Sequence, residues 1–248
     1  MKTLTVVTVT FNAAAAVERT FRSVVGQTAF DQMEYIVVDG GSTDATLAIA
    51  ERYRPQLAAL VSEPDRGIYD AMNKGARMAT GRWILFMNAG DTFYAPDTVA
   101  SLGLDERTAD HFVYGDYICV ARDGNQRVAA TPFFDAPQRI HGIGICHQAL
   151  YSPTEWLLRQ PFDWQHFPIC ADYAFARHCW EQGARFDYVP RPLCYYGWGE
   201  GLSSRPDHFR KVLRENAIIG HRLHSFEYLK ESVRLFVDNL RRSAKRKP

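Results

Sequence analysis

Residues 82–93 read RWILFMNAGDTF, and no other stretch limits the folds open to this chain so sharply. Trp83, Ile84, Leu85, Phe86 and Met87 form an unbroken apolar run, too short for an ordinary helix, that suits a strand covered on both faces of a sheet. The run stops at Asn88, Ala89, Gly90 and Asp91. A carboxylate at the carboxyl end of a central strand stands where open α/β sheets build their ligand sites. The same four residues would also serve as a plain turn.

The preceding segments supply the rest of such a sheet. Residues 4–11 are a β-branched run that predicts a first strand, with Asn12 opening the turn out of it. Residues 13–25 place Val17, Phe21, Val24 and Val25 at helical spacing, and Gly26 is the stop. A second strand is predicted over 34–38, followed by Asp39-Gly40-Gly41-Ser42-Thr43-Asp44 and a helix over 45–53. A third strand over 57–62, a loop through Arg66 and a helix over 68–79 lead back to the Trp83 run. Strand and helix alternate throughout, the pattern of an α/β fold whose mostly parallel sheet carries helices on both faces.

Composition narrows the classes of function. With 248 residues, 46% of them hydrophobic, the chain can bury a single large core. Lys plus Arg number 29 against 28 Asp plus Glu, which gives no electrostatic case for nucleic acid as partner. The five cysteines include no C-x-x-C pair, arguing against a disulfide framework or zinc cluster and for a reducing cytoplasm. Neither a signal-peptide pattern nor a membrane-spanning apolar run is present, so a cytoplasmic protein, soluble or peripheral at a membrane face, is expected. The first strand is followed by Asn12-Ala13-Ala14-Ala15 rather than G-x-G-x-x-G, and there is no P-loop, which weakens a nicotinamide dehydrogenase or a P-loop enzyme.

Four segments taken together, VVTVTFN at 6–12, VVDGGSTDAT at 37–46, SEPDRGIYDAMNKGA at 62–76 and GRWILFMNAGD at 81–91, resemble the successive motifs of glycosyltransferase family 2. The wording is similar to the branch that builds bacterial surface polysaccharides, colanic-acid glycosyltransferases among them. The resemblance implies the GT-A fold and inverting transfer of a sugar from a nucleotide-diphosphate donor, UDP-linked by preference, to a lipid-linked or oligosaccharide acceptor. It implies a GT-A catalytic domain over 1–204, with a nucleotide-sugar half (1–100) and an acceptor half (101–204), and a helical basic extension over 205–248. Thr8, Phe11, Asn12, Asp39 and Arg66, with Asn88 and Ala89, would surround the base, ribose and donor sugar. Asp39 also suits an Asx-turn at the head of the Gly-Gly loop, and Arg66 a solvated loop position.

The chemistry asks for two carboxylates. Asp91 matches the last acid of the family's D-x-D motif, which holds Mn²⁺ or Mg²⁺ against the diphosphate; Gly90 stands where many relatives carry another Asp. Asp172, in ICADYAFA at 169–176, matches the acid that acts as general base, although an acid is also favoured there as a helix N-terminal residue. His147 and Gln148 are candidate sugar or acceptor contacts, or residues satisfied within the fold. Gly197 opens a glycine-rich segment, GWGEGLSS, that resembles a mobile cover over the diphosphate. The Q-x-x-R-W signature of processive relatives is missing, which implies one sugar per encounter. In the tail, Phe226, Leu229, Val233, Phe236 and Leu240 recur at helical steps among Lys and Arg. That pattern fits an amphipathic helix on the inner membrane beside a polyprenyl-diphosphate acceptor, or one packed on the catalytic domain or on a second copy in a homodimer. Two rivals are weighed: a sugar nucleotidyltransferase, which should show a glycine-rich, lysine-containing loop after the first strand, and a noncatalytic nucleotide-sugar-binding partner.

Overall fold

The computed structural model describes residues 2–120, 126–129 (backbone only), 146–197, 208–220 and positions 229, 230 and 233. The loop expected over 131–141, the cover beyond Gly197 and most of the tail helix lie outside the described residues.

The chain runs β1 (Leu4–Thr10), α1 (Val17–Val25), β2 (Met33–Asp39), α2 (Thr46–Glu51), β3 (Ala59–Ser62), α3 (Ile68–Met78), β4 (Trp83–Phe86) and β5 (Thr92–Phe93). It continues with β6 (His111–Val120), β7 (Gln126–Ala129), β8 (Leu150–Pro153), α4 (Thr154–Arg159), α5 (Ala171–Glu181), β9 (Arg185–Gly197) and α6 (Phe209–Ile219). The sheet order is β3-β2-β1-β4-β8-β6-β9-β5, with β7 branching from β6. Strands β1 to β4 pair parallel; β8 then runs antiparallel between β4 and β6, and β9 lies parallel to β6 and antiparallel to β5. The sheet is therefore parallel over β1 to β4 and mixed beyond them.

Alternation along β1 and β4 divides the interior into two layers. Leu4, Val6, Trp83, Leu85 and Met87 pack with Val17, Phe21 and Val24 of α1. Val7, Val9, Ile84 and Phe86 pack on the other side with Tyr69, Met72 and Ala76 of α3 and Phe175 and Cys179 of α5. Every residue of β4 is buried, as its unbroken apolar run requires. Helix α3 crosses β1 closely at Gly75, where a Cβ would stand 2.4 Å from Val7 Cγ1.

Two expectations are corrected in detail. The first helix starts at Val17 rather than at residue 13, because the Ala13 N–H donates to Thr46 Oγ1 (2.8 Å) and the Ala14 N–H to Asp44 Oδ2 (3.1 Å), holding this stretch as a loop. The final strand pair expected over 186–189 and 192–196 is one continuous strand, β9, whose ladder with β6 shifts register at Asp116 and Tyr117. Pro190 and Pro192 cannot donate to a regular ladder, and these irregularities accommodate them without ending the strand.

Candidate active site

The parallel order places β2 and β4 on opposite sides of β1, so the connections leaving β1 and β4 diverge and leave a crevice at their carboxyl ends. A cleft of about 850 Å³ lies there, lined by Phe11 to Ala16 after β1 and by Asn88, Ala89 and Asp91 after β4. Gly67 and Tyr69 from the head of α3, His147, Gln148, Asp172, Gly197 and Val212 complete it. Asn12 takes a left-handed φ of 47°, a conformation Asn tolerates, and its Oδ1 accepts from the Thr43 N–H (2.9 Å). This turn leaves the Phe11 ring 61% exposed beside the cleft, an aromatic face available for stacking.

Two carboxylates, Asp91 buried and Asp172 largely so, face the cleft in different environments. Asp172, in the first turn of α5, accepts from Tyr69 Oη (2.8 Å) and from the Tyr173 N–H (2.9 Å) at Oδ1, and pairs with His147 Nδ1 (2.7 Å) at Oδ2. Burial by itself would raise its pKa, but the hydrogen bond and charge of His147, with Tyr69 and the Tyr173 amide, outweigh it and hold the carboxyl below its ordinary value. Burial, then the Asp172 charge, push the Tyr69 phenol well up, so it stays a donor. On the other ring nitrogen, His147 Nε2 meets Asn88 Nδ2 at 2.8 Å. Because the Asp172 carboxylate can only accept, the proton between it and His147 lies on Nδ1, and a chain of contacts runs from Asn88 through His147 to Asp172.

Asp91 accepts from Gln148 Nε2 (2.6 Å) and from the Gly197 N–H (3.3 Å). Here burial prevails and pushes the carboxyl up to about 6, against the opposing pull of Gln148, His147, Gly197 and Arg19. Gly90, just before it, has a φ of +103°, and a Cβ there would stand 3.0 Å from Arg19 Nη2. An aspartate at position 90 would be strained in this backbone.

The remaining expected residues divide. Phe11, Asn12, Asn88, Ala89, Asp91, His147, Gln148 and Asp172 meet in the cleft. Thr8, Asp39 and Arg66 are not among its lining residues. Thr8 is fully buried and its hydroxyl is engaged with Tyr35 Oη (2.9 Å) and the Met87 carbonyl (2.8 Å). Asp39 is also fully buried; its carboxylate accepts from the Gly41 and Ser42 amides and from the Ser42 and Ser62 hydroxyls, the Asx-type arrangement. Arg66 stands outside, over the Trp164 ring at 4.8 Å and 3.6 Å from Asp70. Tyr69 went unassigned in the sequence, although a tyrosine on the core-facing side of a helix must find a partner for its hydroxyl, and that was the available signal.

Among the described residues no group of three or more His, Cys, Asp or Glu could hold a metal ion on its own. The donor set nevertheless fits a hard dication. Asn88 Oδ1 is buried without a hydrogen-bond partner, and Asp91 keeps lone-pair capacity beyond its two bonds. Two oxygens on one wall suit an ion that draws its other ligands from phosphates and water.

Comparison with known proteins adds ancestry to this geometry. The model of Glycosyl transferase family 2 matches residues 5–162, a span that carries Asp91, His147 and Gln148 and stops short of Asp172. A PGL/p-HBAD biosynthesis glycosyltransferase of Mycobacterium bovis is 38% identical over 223 residues, 86% of this chain and 85% of its own. S. aureus TarS 1-349, solved with UDP, superposes with a TM-score of 0.65 at 21% identity over 88% of this chain and 65% of its own, so this chain spans less than two thirds of it. A mannosyltransferase of Pyrobaculum calidifontis, solved with GDP-Man and Mn²⁺, gives a TM-score of 0.64 at 24% identity over 99% of this chain and 76% of its own.

Proposed function

Because this chain belongs to glycosyltransferase family 2 and has the GT-A fold, we propose that it transfers one sugar, with inversion, from a nucleotide-diphosphate donor to a hydroxyl acceptor in cell-surface glycan biosynthesis. The observation that carries this reading is the pair of carboxylates in one cleft, one held ionised by three donors and the other raised by burial.

Phe11, Asn12 and Ala89 receive the nucleoside, while Asp39 and Thr8 hold the loop and strand behind it. Asp91 and Asn88 would hold Mn²⁺ or Mg²⁺, and such an ion would supply positive charge to offset that of the departing phosphates. Asp172 takes the proton from the acceptor hydroxyl as its oxygen bonds to the anomeric carbon. The bond from that carbon to the diphosphate breaks on the opposite face, and the electron pair leaves with the phosphate. His147 and Tyr69 keep Asp172 ionised and aimed, and Gln148 orients Asp91. UDP is the favoured nucleotide, since TarS was solved with it, and GDP is the competitor that the mannosyltransferase brings. A lipid-linked acceptor would suit a peripheral contact through the tail, where Leu229 and Val233 are both exposed one helical step apart. Among the described residues no helix is long and apolar enough to cross a membrane.

The test is Asp172→Asn, assayed for nucleoside diphosphate release with a panel of phenyl and octyl glycosides as acceptors, alongside calorimetry of nucleotide binding. Transfer should fall by about a hundredfold or more at near-normal nucleotide affinity, because only the proton acceptor is lost. Near-normal turnover would end the base assignment.

A further inference from the structure

Glu215 is a buried carboxylate that the chemistry above leaves unused. It sits on α6, past the span matched by the family model, and its Oε2 accepts from two backbone amides, Ile169 N–H (3.1 Å) and Cys170 N–H (2.8 Å). These residues lead directly into α5, and Asp172 is in that helix's first turn. Cys170, the N-cap, offers no side-chain cap of its own, so the amides just before the helix are served from a distant one. The turn is gripped from a second direction as well, since Tyr69 Oη lies 2.8 Å from both the Ile169 carbonyl and Asp172 Oδ1 and shares its single proton between them. Val212, one turn earlier on α6 than Glu215, lines the cleft itself.

Burying a carboxylate is costly unless its hydrogen bonds return something, and among the described residues no ion pair to Glu215 is present. Burial raises its pKa against the two amide bonds. The turn it holds is the one that delivers the proposed base. We propose that Glu215 is a positioning residue for sugar transfer, clamping the turn from Ile169 to Asp172 so that the carboxylate of Asp172 faces the acceptor. Helix α6 is thereby a working part of the catalytic unit, although it lies beyond residue 204, where the sequence suggests that unit ends. The inference rests on Asp172 being the base.

Four variants decide it: Glu215→Ala, Glu215→Asp, Asp172→Asn and the double Glu215→Ala/Asp172→Asn, each assayed with the best UDP- or GDP-sugar and a phenyl or octyl glycoside acceptor. Glu215→Ala should lower kcat by about 10- to 100-fold while donor KM and nucleotide Kd stay within about twofold, the mark of a misaimed group rather than a lost binding contact. The double variant should be no worse than Asp172→Asn alone, because a group that is absent cannot be misaimed. Should Glu215→Ala fail to fold, Glu215→Asp, which keeps the charge and shortens the reach, should fold and lower kcat at unchanged Kd. Normal kcat in a folded Glu215 variant, parallel loss of nucleotide binding, or losses that multiply in the double variant would each overturn the proposal. If Asp172→Asn itself turns over normally, the base assignment has failed instead.

Discussion

Asp91 and Asp172 share one cleft and are driven in opposite directions, which makes pH a handle on each. For Asp91 the folded carboxyl titrates at about 6 against an ordinary value of 3.8. The native state therefore holds its proton more tightly than the unfolded chain between those two values, so stability falls as pH rises through that window and the penalty is complete above it. Its size is on the order of 2–3 kcal/mol. In chelator and without nucleotide, Asp91→Asn should melt higher than wild type at pH 7.5 and equal to it near pH 4; an unchanged difference across that range would mean that the carboxylate is not buried as described. The sequence singles out both acids because each lies in a recognisable motif, and the fold brings both to the cleft. Their opposite environments were not legible there, because His147, Tyr69 and Gln148 come from segments 57 to 103 residues away from the carboxylate partner in two of the three contacts and 25 in the third. Asp39 shows the converse, since the Asx-turn that its carboxylate forms with the Gly41 and Ser42 amides could be read directly from DGGS.

Among the elements, α3 and β1 approach so closely that Gly75 has no room for a methyl group. The near atoms belong to a stiff valine in a fully buried strand, so the clash cannot be relieved by a flexible chain end. Gly75→Ala should cost about 1–3 kcal/mol through overpacking and lower the melting temperature by about 2–10 °C. A thermal scan showing no change would mean that the helix can lift off the strand. The strands and helices up to β4 follow local periodicity, which is why the sequence places each of them within a few residues. The part of the chain beyond β5 resists such reading: β9 carries two prolines in a strand that is neither short nor interrupted, and only its long-range pairing with β6 keeps it whole.

For the whole molecule, the cleft at the switch point predicts that nucleotide binding and global stability are linked. A ligand that binds only the native state at a hundred times its Kd adds about 2.7 kcal/mol, so UDP or GDP with Mn²⁺ should raise the melting temperature by several degrees, and the nucleotide giving the larger shift identifies the donor class. No shift with any nucleotide, in folded protein, would favour a noncatalytic relative. The strand order also bears on how the chain is made. Strand β4 is the most apolar of the sheet and lies at its centre, yet its outer neighbour β8 begins at Leu150, whereas β4 ends at Phe86. On a ribosome adding about 5–20 residues per second, the parallel part of the sheet emerges with that edge bare for several seconds before its partner is synthesised. Nascent chains of this protein should therefore be clients of a trigger-type or Hsp70-type holdase during that interval, and slowing translation between β4 and β8 should send more of them into aggregates.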